Sequence, residues 1–413
     1  MISVPLRAGN NLLQDAWRAL QRRAIFDFCK WDIQCEDHSV LAPFPLLLEP
    51  ETAAYLDETA EALAREALAA EAEILRSPRL IERLGLPSPL RKVLQKAANS
   101  VRGARDVRVM RFDFHPTPEG WRISEVNADV PGGFIEASGW NSLFAEKSPG
   151  MSAPPDTSEI YARAIREVAG PDGLVAFVHA TAYSDDRQVM QFLARRFTGS
   201  GMRTCLLSPS HLRWQNGRAA IAASFASGQP DAIVRFFPAD WLPNLRVEEC
   251  WKPYFDLSET PLSNPGYAIV LQTKRFPLIW DALSTDLSTW RKVLPETRDA
   301  RALNGFFDDS WVLKPALGRV GEGIGIRGVT PPDNLQKIVR EATRRPEQWV
   351  AQKRFAILPL STDIGEKFPC IGVFTIRGKA AGFYGRIADG PIIAQHAQDV
   401  AVLVNSAPSG RTM

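Results

Sequence analysis

Four polar residues within one short stretch are the first candidates for chemistry. The segment MRFDFHPTPEGWRISEVNADVPGG carries Arg111, Asp113, Glu125 and Asn127. Successive residues of a strand point to opposite faces, so Arg111 and Asp113 share one face, as do Ile123, Glu125 and Asn127. A turn centred near Pro118 would set Arg111 opposite Glu125. All four polar groups would then lie on one surface, with Phe112 and Phe114 packed on the other. Asp, Glu and Asn oxygens on adjacent strands suit a hard cation such as Mg²⁺, which takes few carboxylates and leaves room for phosphate oxygens. Arg111 adds a planar, permanently charged donor for phosphate or carboxylate. The same pattern also fits a surface hairpin with an Arg–Glu cross-strand pair.

A second group lies downstream. WVLKPALGRVGEGIGIRG places Lys314 at the end of an apolar strand, followed by Gly318, Gly321, Gly323 and Gly325. Glycines let backbone N–H groups approach phosphate oxygens closely. The Walker A pattern is absent, so a strand–loop–strand lid over a nucleotide is one reading and a plain bulged hairpin the other. Lys274, in QTKRF, falls on a predicted helix 40 residues before Lys314. Gln352, in QWVAQKRF, falls on a predicted strand where it could meet an adenine edge.

These groups need elements to position them. Residues 51–99 read as helix, rich in Ala, Leu and Glu with apolar residues three and four apart, broken at Pro87 and Pro89. The 51–76 part is a packing helix or an interface between copies. Residues 105–128 read as a hairpin, and 147–157 as a linker. Residues 172–237 alternate as strand, helix, strand, helix (AAIAASFASG) and strand, which predicts a small parallel sheet. Tyr267 to Trp290 reads as helix. The final third reads as strands around the glycine loop, closing with PCIGVFTIRGKAAGFYGRI.

Composition narrows the class. The 413 residues suit two or three lobes. Hydrophobic content of 45% and charged content of 23% are ordinary for a globular chain. A net charge of only +2 argues against nucleic acid as the main partner. No apolar run approaches the ~20 residues needed to span a bilayer, and the N-terminus lacks the pattern of a signal peptide. The five scattered cysteines have no CxxC spacing, which argues against disulfides and zinc and for a cytoplasmic setting. The five histidines form no HxH or HExxH pattern, no GxSxG elbow occurs, and the strand–helix alternation carries no GxGxxG fingerprint.

Taken together, the motifs resemble the ATP-grasp synthetase domain of the glutathionylspermidine synthase family. RFDF with EVNAD twelve residues after its Asp resembles that family's metal-binding segment. IVRFFPADWL, SNPGYAIVLQTKRFPLIWDAL, WVLKPALGRVGEGI and IGVFTIRGKAAGFYGRIADGPII resemble further family stretches, in the family's order, over roughly residues 100–405. The resemblance implies an α/β (α+β) ATP-grasp fold in permuted order, with acidic ligands before the lysines, a small parallel βαβ subdomain and an N-terminal helical region. Its expected parts are 1–100, helical; 101–150, metal-binding hairpin; 151–262, parallel pre-ATP-grasp-like subdomain; and 263–413, lysines and glycine loop.

The resemblance also implies roles. Asp113, Glu125 and Asn127 match magnesium ligands. Arg111 matches the arginine near the transferred phosphate and acyl group. Lys274 and Lys314 match nucleotide-phosphate lysines. Val320 and Gly321 lie in the matching glycine loop, Gln352 in the hinge that meets adenine, and Arg386 matches an arginine of the last strands. Arg111 and Arg386 are thus the catalytic candidates. The implied activity is ATP- and Mg²⁺-dependent ligation, with two magnesium ions, of a small-molecule or peptide carboxylate to an amine through an acyl phosphate. An ATP-dependent phosphotransferase and a non-catalytic nucleotide-binding protein are the alternatives. Two departures stand out. The first 100 or so residues leave no room for the amidase domain of bifunctional members. Where the family has Thr or Ser to hold a glutathione-like acid, this chain reads Val130, Pro131, Gly132 and Gly133.

Overall fold

The computed structural model describes residues 6–97, 105–246, 250–256, 258–303, 308–319 and 321–406. The fold is mixed α/β, with several sheets of which one is parallel. Its centre is an antiparallel sheet in the order Gln398–Val400, Lys379–Ala388, Gly365–Ile376, Val109–Thr117 and Gly120–Asn127. The predicted hairpin and the closing strands, more than 200 residues apart, are therefore neighbours in one sheet.

The helix Pro50–Ile74 covers this sheet. Leu56, Ala60, Leu63, Ala64, Ala67, Ala70 and Ile74 are all fully buried. Leu63 lies in the same core as Phe112 and Phe114, and Trp290 packs edge-on against Phe112. Small alanines every three or four residues let the helix sit close to the strands. This apolar face is spent inside the chain, as the packing-helix reading expects.

The hairpin departs from the expected register. Arg111 pairs with Asn127 and Asp113 with Glu125, so Arg111 does not face Glu125. The next pair is Phe114 with Ile123, which leaves Ser124 as the extra residue of a bulge. A one-residue slip flips every later side chain. Ile123 therefore joins Phe112 and Phe114 in the core instead of sharing a face with Glu125. The four polar residues still lie on one side.

The parallel sheet runs Leu262–Ser263, Ala232–Arg235, Leu174–Val178 and Arg203–Leu207. Its second connection is not the predicted helix. Residues 219–228 form strands Arg218–Ala223 and Ala226–Gly228 in a meander with Leu212–Gln215. Asn216 and Gly217 both take positive φ, 50° and 78°. That pair makes a tight hairpin turn and outranks the modest helix preference of the alanines after it.

The lysine sheet runs Thr297–Asp299, Trp349–Lys353, Trp311–Pro315 and Gly325–Ile326, all antiparallel. Leu335, Ile338, Val339 and Ala342 of the helix Pro332–Arg344 pack on its back against Trp311, Leu313 and Trp349. The helix expected from Tyr267 to Trp290 is instead four short pieces: Gly266–Ala268, Ile269–Gln272, Phe276–Ala282 and Ser288–Val293. Thr273 is extended, with φ −65° and ψ 129°, and ends the second piece. Lys274 thus sits in a turn, its backbone N–H bonded to Ala316 O at 2.8 Å.

At the other end, Leu46–Leu48 pairs parallel with Val402–Asn405. The stretch read as a linker contributes Met151–Ser152 to the same sheet. Among the described residues, no helix is long and apolar enough to cross a membrane.

Candidate active site

The central sheet, the lysine sheet and the parallel sheet meet around a cleft of about 670 Å³. Arg111, Asp113, Glu125, Asn127, Lys274, Lys314, Gly321, Gln352 and Arg386 all line it. Val320 lies outside the described residues. The residues singled out by pattern therefore converge, although they come from five separate stretches.

Arg111 and Asp113 form a buried two-pronged pair, with Nε to Oδ1 at 2.7 Å and Nη2 to Oδ2 at 2.9 Å. Arg111 Nη1 donates to Gly132 O at 2.6 Å, and its guanidinium lies 5.0 Å from the centre of the Tyr384 ring. Gly372 makes room for it, because a Cβ there would come within 2.8 Å of the Arg111 stem. Asn127 Nδ2 donates to Asp113 Oδ2 at 3.1 Å.

Glu125 faces Lys274, with Oε2 2.9 Å from Nζ. Burial alone would push its carboxyl up, but Lys274 and Lys314 outweigh that and bring it down to about 2. Lys274 Nζ also donates to Gly318 O of the glycine loop at 2.8 Å. Lys314 Nζ donates to Gln352 Oε1 at 2.7 Å and to Ser124 O, the bulge carbonyl, at 3.2 Å. Burial lowers its pKa to about 8. Burial likewise lowers His115 to about 4, so the ring is neutral at pH 7. Nδ1–H then donates to Pro369 O at 3.1 Å, leaving Nε2 to accept from Ser124 Oγ at 3.0 Å.

Arg386 Nη2 donates to Ala394 O at 2.9 Å, and Nε lies 3.9 Å from Asp399 Oδ1. Gly321 takes φ +70°, and a Cβ there would meet Ile393 O at 2.8 Å. Only a glycine therefore lets the loop lie against this segment.

A further part of the lining was not legible in the sequence. It is built from Lys30, Asp32, Glu136, Asp185, Asp186 and Asp399, among others. Lys30 Nζ reaches Asp32 at 3.0 Å, Glu136 at 2.6 Å and Asp399 at 2.9 Å. Tyr384 donates to the other oxygen of Asp399 at 2.6 Å. Burial, with Asp399 and Asp32 adding repulsion against the pull of Lys30, raises Glu136 to about 7. Burial and its neighbour Asp185 raise Asp186 to about 6. Arg319, in the glycine loop, pairs with Asp240 and lies over the Trp241 ring. Asp185 and Asp186 alone had a signal, since they follow the end of the first parallel strand, where such sheets place their ligands. Lys30 and Asp32 sit in an unpatterned segment.

Among the described residues, no three or more His, Cys, Asp or Glu are gathered as a metal site. The hairpin offers two carboxylates and one amide instead. That oxygen set fits the ligand chemistry of a hard cation such as Mg²⁺, which binds through one or two carboxylates and keeps positions for phosphate oxygens.

The chain matches the family model described as glutathionylspermidine synthase preATP-grasp over residues 15–405. No curated protein matches it in sequence. Among solved structures, it is similar to a protein provisionally assigned as a gamma-glutamylcysteine synthetase, from Methylobacillus flagellatus KT. The identity is 14%, the coverage 82% of this chain and 88% of that one, and the TM-score 0.42. With the family model spanning nearly the whole chain, this protein belongs to the glutathionylspermidine synthase preATP-grasp family.

Proposed function

We propose that this chain is an ATP-dependent carboxylate–amine ligase of ATP-grasp architecture in permuted order, forming an amide through an acyl phosphate. The observation that carries this reading is the pairing across one cleft of Glu125 with Lys274, beside Lys314 and the Arg111–Asp113 pair, next to the glycine loop. Such a cluster suits phosphoryl transfer, which needs charge neutralisation and positioning more than covalent catalysis.

Lys274 and Lys314 hold the nucleotide phosphates in this reading. Magnesium, held by Asp113, Glu125 and Asn127, would neutralise further phosphate charge. Arg111 and Arg386 orient the substrate carboxylate. The γ-phosphoryl passes to a carboxylate oxygen and ADP leaves. The amine nitrogen then attacks the acyl carbon, loses a proton, and phosphate departs. The glycine loop, resting on the Ile393–Ala394 segment, excludes water that would hydrolyse the acyl phosphate. The acidic part of the lining, with Asp32, Asp185 and Asp186, suits the approach of an amine. Val130, Pro131, Gly132 and Gly133 supply no hydroxyl for a glutathione-like acid.

The test measures ADP and phosphate release from Mg·ATP against a panel of acids, with and without amines. A pair that drives ADP release and yields an amide by mass spectrometry is the expected result. ADP release with an acceptor alone and a stable phosphorylated product would make the protein a phosphotransferase. Absence of ATP binding would overturn the reading.

A further inference from the structure

Gln352 invites the simple reading that its amide meets the adenine edge. Its hydrogen bonds point elsewhere. Gln352 lies on the middle strand of the lysine sheet, paired with Thr297 on one side and Val312 on the other. Lys314 is two residues along from Val312 and so shares the cleft face with Gln352. The residue is buried, with 5% exposure.

The direction of the chain is determined. Thr297 Oγ1 donates its single proton to Pro295 O at 3.1 Å. Its oxygen must therefore accept from Gln352, whose Nε2 lies at 3.1 Å. That turns Oε1 of Gln352 toward Lys314 Nζ, at 2.7 Å. An ammonium has three N–H donors. One goes to Gln352 and one to Ser124 O, at 3.2 Å. One remains for an anion in the cleft. The Gln352 carbonyl oxygen and one of its two N–H donors are engaged within the protein, and that oxygen is turned to Lys314.

We propose that Gln352 is a positioning residue that acts through Lys314: its amide, oriented by Thr297, aims the Lys314 ammonium into the cleft, and it is not a direct contact to adenine. This rests on the nucleotide reading of the site, so two separate readouts are needed.

The first is independent of nucleotide. Lys314 labelling by an amine-acylating reagent is followed by peptide mass spectrometry in wild type, Gln352→Met, Gln352→Glu and Thr297→Val. Removing the acceptor in Gln352→Met, or its orienting partner in Thr297→Val, should change the labelling rate several-fold, with Lys274 unchanged. Gln352→Glu keeps an acceptor but sets a carboxylate beside the ammonium, holds it protonated and should slow Lys314 labelling below wild type. Unchanged Lys314 labelling in both Gln352→Met and Thr297→Val overturns the proposal.

The second is Mg·ATP and Mg·GTP affinity by calorimetry in a double-mutant cycle with Lys314→Met. Gln352→Met should weaken ATP roughly tenfold alone, as expected for loss of a charge-assisted hydrogen bond. It should add nothing in the Lys314→Met background and leave ATP-over-GTP preference unchanged. Additive losses, or a shift in base preference, would make Gln352 a direct ligand and overturn the proposal. If wild type binds no ATP, the ligase reading fails and the labelling result alone decides the role of Gln352.

Discussion

Glu125 and Glu136 are two glutamates on the wall of the same cleft, and their environments drive them in opposite directions. Burial penalises the charge on both. Glu125 has Lys274 at 2.9 Å and Lys314 nearby, and its pKa falls to about 2. Glu136 has Lys30 at 2.6 Å, but that ammonium is shared with Asp32 and Asp399, and its pKa rises to about 7. The ratio of cations to carboxylates differs between them, and Glu136 is also the more deeply buried, with 6% of its side chain exposed against 25% for Glu125. The cleft therefore has a cation-rich end around Glu125 and an acid-rich end around Glu136.

The comparison is broken most severely at the cation-rich end. Asp113→Ala or Glu125→Ala should lower ligase turnover by at least about a thousandfold, the scale of removing electrostatic stabilisation of a developing charge. Circular dichroism should stay native. Turnover near wild type in either variant would take the hairpin out of the chemistry.

Lys30→Met strips the acid-rich end of its counter-charge. Removing one partner from a buried charged cluster should cost about 3 kcal/mol in urea unfolding at pH 7. The deficit should shrink as pH falls and the stranded carboxyls take up protons. A loss that does not depend on pH would show that the cluster is not electrostatically strained by the change.

Glu136→Gln sharpens the contrast. In the folded wild type this carboxyl keeps its proton up to about 7, against an ordinary 4.5. The native state therefore binds more protons than the unfolded chain between those values. Its contribution to stability, full below 4.5, is lost as pH rises through 7, by about 3 kcal/mol. The variant should lack this decline. Glu125 has the opposite sign: its contribution is present above 4.5 and lost as pH falls toward 2. Denaturation series across pH for the two Gln variants should show effects in separate windows.

The smallest effect concerns Lys314. Lys314→Ala should weaken Mg·ATP roughly tenfold by calorimetry, the loss of one charge-assisted contact. Phosphate binding favours the protonated amine, whose pKa is about 8. Wild-type affinity should therefore fall as pH rises through 8, and the variant should be flatter there. Equal pH profiles would remove that lysine from the nucleotide site.

Much of the site was legible because its residues lie in short, locally patterned segments. Alternation along 109–127 put Arg111, Asp113, Glu125 and Asn127 on one side, and they lie there. The pairing was not legible, because a bulge at Ser124 answers to Phe114 and Ile123 seeking the same core. The helix expected at 267–290 failed for a similar reason: Thr273 is extended so that Lys274 can bond Ala316 O. The strands at 218–228 did carry a readable signal, Asn216-Gly217, which alanine content obscured.

By itself, then, the order of residues determined which groups are available: the acids before the lysines, the glycines between strands, and the apolar faces that drive each segment to pack. Tertiary structure alone decided the charge balance of the cleft. Lys30, Glu136 and Asp399 belong to segments more than a hundred residues apart, and the Lys30 ammonium comes within about 3 Å of both carboxylates only in the folded chain. Electrostatic energy depends on separation in space and on the water excluded around it, and neither is written in local periodicity.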